Sequence, residues 1–257
     1  MNNFLKILLF MCLLTNAQNS AVIEYKHSAK RGTKTHSWKA ILKCNAAQFV
    51  YQLFNVENKD ESKHEGDGEI HIKTKTKFNQ PHTIYDVSRK YLYQIIELDN
   101  KLYKVKEDVP KMNWVLSTDK KEVKKIGNFT CNKATLHFRG RNYEAWYTTK
   151  IPLSYGPFKF RGLPGLILEI YDTSYFYHWV ATKVTYPLKE TINLKFVDKL
   201  KLQEITLKQF VEKSEKFQKL RAQITSRRLP KGATFEIRRG SVELKYDWET
   251  DVPKKKK

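Results

Sequence analysis

Carboxylates are in short supply in this chain: 27 Asp and Glu stand against 48 Lys and Arg, a formal charge of +21 on 257 residues. An imbalance of that size draws a protein to anionic surfaces and keeps it soluble, but it does not select a fold. Cysteine is scarcer still, at three, too few for a disulfide framework. Long apolar runs are absent except near the start, where Ile7 to Leu14 is too short to span a bilayer. The chain has no internal repeat and no low-complexity linker.

That short apolar run has Lys6 before it and Thr15 and Ala17 after it. Residues 1–17 therefore read as a secretory signal, with cleavage before Gln18. Without Lys6 the balance is 47 basic against 27 acidic residues, or +20. Export argues against nucleic acid as a partner and leaves anionic lipid, polysaccharide or an acidic protein. Residues 18–252 suit one domain, followed by a basic disordered tail at 253–257. In an oxidising compartment Cys44 and Cys131 are a candidate disulfide. Two separate buried thiols fit the sequence equally well, since cysteine packs as a small hydrophobe.

Most of the remaining pattern alternates with period two. Residues 69–78 are the cleanest case, with Ile70, Ile72 and Phe78 on one face and His71, Lys73, Lys75 and Lys77 on the other. Further strands are expected at 21–25, within 38–54 and at 83–87, 91–98, 102–105, 126–138, 143–148, 175–184 and 191–197. A turn is expected at 30–36, and Asp99-Asn100 joins two of the strands. One helix is expected over 206–224, capped by Thr206 with Gln209 three residues on. Its apolar stripe is Leu207, Phe210, Val211, Phe217, Leu220 and Ile224, and Glu212 to Lys216 and Glu215 to Lys219 have ion-pair spacing. Residues 233–248 read as a final hairpin. The fold class is α+β and mostly antiparallel, a large twisted sheet or half-barrel with one long helix packed on it.

Candidate chemistry is sparse. His64, Glu65, Asp67, Glu69 and His71 have metal-ligand character, though Asp67-Gly68 also makes an ordinary turn. Ser154 with His178 or His137 would be the elements of a nucleophilic site, but Ser154 lacks the glycine that opens a nucleophile elbow. No cofactor is implied. The lysine face of 69–78 and the tail Lys254 to Lys257 could meet an anionic surface. Aromatics are more informative: Trp146, Tyr147, Tyr155, Phe158, Phe160, Tyr177 and Trp179 crowd around one punctuated stretch. They either fill the core or line a concave apolar surface under the helix.

The centre of that stretch is Gly162-Leu163-Pro164-Gly165-Leu166-Ile167. With Trp114, Cys131-Asn132-Lys133-Ala134, Arg139-Gly140-Arg141, Ala145-Trp146-Tyr147-Thr148 and Gly156-Pro157 in order before it, the chain resembles the GLPGLI family of bacterial secreted proteins. The resemblance implies an exported periplasmic or envelope protein of a Gram-negative bacterium. It implies no established catalytic residues, and a partner among outer-membrane transport proteins. The strand-rich pattern is also similar to the half-barrels of periplasmic lipoprotein carriers, which cup an apolar ligand or lipid under a helical lid. None of the six signature residues titrates, so they read as structural: glycines for close approach or positive φ, Pro164 to stiffen the turn, and Leu166 onward as a buried strand.

Overall fold

Left-handed turn residues fold the alternating segments back on themselves. Asp99 and Asn100 sit at φ 52° and 58°, and Arg139 and Gly140 at 45° and 83°. Turns of this kind twist in the same sense as the strands they join. Gly32 and Gly127 occupy the same region at two further turns. At another, the Asn45 side chain accepts hydrogen bonds from the amides of Ala47 and Gln48, the local bonding that favours Asn in turns.

The computed structural model describes residues 19–54, 82–189, 192, 194, 199–227 and 239–249. Two antiparallel meanders make up the sheet. The first runs through β1 (Ser20–Arg31), β2 (Lys34–Cys44), β3 (Gln48–Phe54), β4 (His82–Asp86), β5 (Tyr91–Leu98) and β6 (Lys101–Asp108). The second begins with β7 (Val115–Leu116) and β8 (Val123–Ile126), both paired to β9 (Phe129–Phe138), and continues through β10 (Arg141–Thr148), β11 (Leu166–Asp172) and β12 (Tyr177–Leu188). Pairing of β1 with β12 joins the meanders into one sheet, and β13 (Gln203–Thr206) adds in parallel to β6. The sheet is open: its order starts at β13 and ends at β7. The helix α1 (Leu207–Ser226) follows β13 directly. The α+β architecture expected from the sequence, a large and mostly antiparallel open sheet with one long helix packed on it, is the observed one.

Alternation assigns the inner face. Ala21, Ile23 and Tyr25 of β1, Ala40 and Leu42 of β2, Phe49 and Tyr51 of β3, Tyr143 and Ala145 of β10 and Trp179 of β12 are buried there in one cluster. The loop between β10 and β11 carries the glycine-rich signature into this concavity. Its Tyr155 ring lies 5.2 Å from Phe49, while its Phe160 ring lies 4.8 Å from Tyr143 and 5.8 Å from Trp179. The loop therefore packs against both meanders at once. A second cluster, Val50, Ile84, Tyr93, Ile95 and Leu194, lies on the other face of the first meander. A third, Tyr103, Val105, Ile205, Leu207, Val211 and Tyr246, seats α1 on the sheet.

Several expectations need correction. The turn placed at 30–36 is only Gly32 and Thr33, because β2 already begins at Lys34. Tyr175 is out of phase with Tyr177 and Trp179: it is 60% exposed, at φ 53°, in the turn before β12. The hairpin expected at 233–248 is absent from its described part, because residues 239–249 form no strand and run as an irregular strap. The strap is instead held by side chains, described below. Cys44 and Cys131 are not bonded to each other; both are free and buried. They stand on β2 and β9, with β1, β12, β11 and β10 between them in the sheet. The ion pairs expected along α1 give way to tertiary contacts, since Glu215 pairs with Arg239 of the strap. Residues 1–17, 64–71, 69–78 and 253–257 lie outside the described residues, as does most of 191–197.

Candidate functional site

Helix α1 starts where the sequence places it. Thr206 accepts from the Gln209 amide and the Gln209 side chain accepts from the Thr206 amide, a complete capping box. From that anchor Leu207 and Val211 are buried against β6 and β13, and the next turns lean out over the inner face. The strap passes beside the helix, and between them opens a cavity of about 920 Å³. Its apolar wall is Ile96, Tyr177, Phe210, Val211, Val242 and Tyr246; its polar end is Ser214, Glu215, Gln218, Lys219, Arg239 and Ser241. That volume lies at the upper end of small-molecule pockets.

The strap is stapled to the sheet by donors aimed at its carbonyls. Tyr177 donates to Gly240 O at 2.6 Å, Tyr143 to Val242 O at 3.0 Å, and Arg141 to Ser241 O at 3.0 Å. In return, the Leu244 and Lys245 amides donate to Arg139 O at 2.9 and 3.1 Å. Gly140 stands beside this junction, where a Cβ would meet Leu244 at 3.1 Å.

Beneath the strap lies a buried charge network. The Lys159 ammonium, fully buried, reaches Glu107 of β6 at 2.6 Å and Glu243 of the strap at 2.9 Å. Arg139 contacts Glu107 at 2.6 Å, Glu243 at 2.5 Å and Asp247 at 3.0 Å. Glu107 comes from the far end of the first meander and Arg139 from the second. Charges therefore join the two ends of the open sheet where no strand pairing does. Lys159, Arg139, Glu107 and Glu243 lost their hydration on burial, whereas Asp247 stays exposed, so removing one of the four would strand the others. Burial opposes the charge on Arg139, but Glu243 and Glu107 outweigh it and hold the guanidinium more firmly protonated than usual. Burial and the Glu243 charge push the Tyr246 phenol up.

At the polar end of the cavity, Arg239 is held by Glu249 at 2.8 Å and by Glu215, and it lies over the Tyr246 ring at 5.1 Å. The hydrogen bonds it donates to Glu249 raise its already high pKa. Lys219 has no carboxylate partner among the described residues and is the cation left to meet a ligand.

Of the aromatics singled out in the sequence, only Tyr177 lines this cavity. Phe160 and Trp179 are wholly buried. Tyr147 and Tyr155 are buried as well, the Tyr155 hydroxyl donating to Ala46 O at 3.2 Å. Phe158 is half-buried beside Phe160. Trp146 points to the opposite face, where Lys124 and Lys133 lie over its ring at 5.6 and 6.0 Å. The aromatic crowd is mostly core. Phe210, Val211 and Tyr246 were missed as lining residues, and Lys159, Glu107 and Glu243 as an ionic cluster. A lysine between Phe158 and Phe160 was the one available hint.

The nucleophilic elements do not converge. Ser154 is exposed on the signature loop, His178 bonds to Glu169 at 2.9 Å, and His137 bonds to Asn142 at 2.7 Å. Burial pushes the Cys44 thiol far above its ordinary value and Cys131 up to about 12, so neither presents a thiolate near neutral pH. Among the described residues no three His, Cys, Asp or Glu side chains are grouped to hold a metal ion, and no helix is long and apolar enough to cross a membrane.

A family model described as a protein of unknown function (Porph_ging) matches residues 139–169. That segment carries Arg139, Arg141, Tyr143, Lys159 and the signature, the parts that hold the strap and fill the concavity. No curated protein matches the chain. Among solved structures, PNGF-II in two crystal forms overlaps 77% of this chain at 15% identity, with TM-scores of 0.53 and 0.51. The overlap spans 33% and 34% of PNGF-II in the two forms, so this chain corresponds to about a third of that protein. At that identity the likeness is one of fold. A putative outer membrane lipoprotein-sorting protein domain from Vibrio parahaemolyticus overlaps 70% of this chain and 90% of its own, with 7% identity and a TM-score of 0.27.

Proposed function

We propose that this is an exported cell-envelope protein of the GLPGLI type, without catalytic activity, that holds an apolar or amphipathic ligand in the cavity beneath α1. The cavity of about 920 Å³ carries the proposal. One wall is apolar, the other end offers hydroxyls, an amide and the Lys219 ammonium, and both are built on a helix and a strap fixed to a rigid sheet. A fatty chain with a polar head matches that division better than a compact polar substrate does. The signature hexapeptide supports the family reading, and the leader-like first 17 residues support export. A periplasmic address and an outer-membrane transport partner belong to the same proposal.

The test is native mass spectrometry of the protein taken from its own envelope, paired with titration of a hydrophobic fluorophore. The intact protein should carry a lipid-sized adduct and bind the fluorophore. Ser214→Trp, which projects an indole into the cavity from a half-buried position, should reduce both by at least about tenfold, the loss of some 1.4 kcal/mol of binding, with the thermal midpoint retained. A wild-type protein that carries no adduct and binds no fluorophore would overturn the reading.

A further inference from the structure

The apolar stripe of α1 is used only at its beginning. Leu207 and Val211 are buried, whereas Leu220 is 53% and Ile224 46% exposed. Phe217, Leu220 and Ile224 are spaced i, i+3 and i+7 and so share one face. At 100° per residue that face lies about a third of a turn round from the stripe that meets the sheet and the cavity. The two stripes are different surfaces of one helix, and the second is unpartnered among the described residues.

Charge indicates what covers it. The helix carries Lys208, Lys213, Lys216, Lys219 and Arg221 against Glu212 and Glu215, and Glu215 is taken by Arg239. Lys216 and Arg221 flank the ridge on its two sides and Lys213 stands in line with it one turn before Phe217, Arg221 lying over the Phe217 ring at 5.7 Å. None of the helix cations pairs with a carboxylate among the described residues. A second copy would oppose like charges, on a chain whose formal net charge is +21. A straight apolar ridge with basic flanks and no pocket of its own has the form of a helix that lies in a bilayer interface.

We propose that the ridge Phe217, Leu220 and Ile224 docks α1 on an anionic membrane surface, with Lys216 and Arg221 meeting the headgroups. Gln218 and Lys219, which line the cavity, stand between Phe217 and Leu220, so docking sets the cavity mouth at headgroup level. The contact is independent of whether the cavity is loaded.

Co-sedimentation of the intact protein with vesicles of phosphatidylglycerol and phosphatidylcholine in equal parts tests the docking. Wild type should bind these vesicles, not pure phosphatidylcholine, and release as salt rises. Leu220→Asp with Ile224→Asp should weaken binding at least about tenfold, since it exchanges two inserted side chains for charges. Both residues are exposed, so circular dichroism and the thermal midpoint should stay unchanged. Lys208→Glu, on the opposite side of the helix, alters net charge by the same amount and should cost no more than about threefold. Equal loss in the two variants would reduce the contact to net charge and overturn the ridge, as would absence of wild-type binding at low salt. A wild-type dimer that the double variant converts to monomer would assign the ridge to a second copy and overturn the membrane reading. Failure of the cavity tests leaves these outcomes untouched.

Discussion

Gly165 makes the case for the signature as structure. A Cβ there would lie 2.1 Å from the Thr148 carbonyl oxygen, a backbone atom that cannot swing aside. The requirement is closeness: Gly162, at φ 95°, is the signature glycine with a positive φ. Gly165→Ala should therefore destabilise by about 3 kcal/mol or more, read from denaturant midpoints. A variant as stable as wild type would contradict the packing. Glu169 offers a second test at this scale. Burial acts to raise its pKa, but hydrogen bonds from His178 and Lys124 outweigh burial and leave it below the ordinary glutamate value. A carboxyl depressed in the folded state adds stability above its unfolded pKa, and that stability is lost as pH falls through the folded value. Glu169→Gln should thus lower stability near neutral pH and converge with wild type in acid. Curves that stay parallel throughout would remove the linkage. The sequence offered close approach or positive φ for the signature glycines without deciding between them, and it did not show the partners of Glu169, because both depend on which atoms neighbouring strands bring alongside.

At the scale of elements, strands and turns were legible wherever the pattern was local. Alternation placed β4, β5 and β10, and Asp99-Asn100 marked its hairpin, because a pleated strand and a two-residue turn are fixed by neighbours in sequence. The strap was misread as a hairpin because its order comes from Tyr177, 63 residues upstream of Gly240, and from Tyr143, Arg139 and Arg141, about a hundred residues upstream. Helix α1 lies between these cases: the capping box was readable, but the full-length stripe did not reveal that only its first half is buried. Leu207→Ala should cost about 2–4 kcal/mol, whereas Leu220→Ala should cost less than about 0.5 kcal/mol. Thermal unfolding of the two variants separates them, and similar losses would mean that the outer half of the helix is packed as well.

At the scale of the molecule, period-two patterning was enough for a mostly antiparallel sheet with one helix. It could not supply the site. The aromatics that looked most like a binding surface are consumed by the core, since a concave sheet this large needs bulky side chains to fill it. The cavity is assembled instead from α1 and the strap, elements that the sheet holds side by side.

The pairing of β1 with β12 brings Ser20 opposite Leu188. Each meander can zip locally, but the strand that opens the chain has one unsatisfied edge until nearly two hundred residues have been made. Loop closure over such a span is slow, and meanwhile β1 is an open template for any other strand. Until β12 arrives, the free edge of β1 is therefore a point of exposure to wrong pairing.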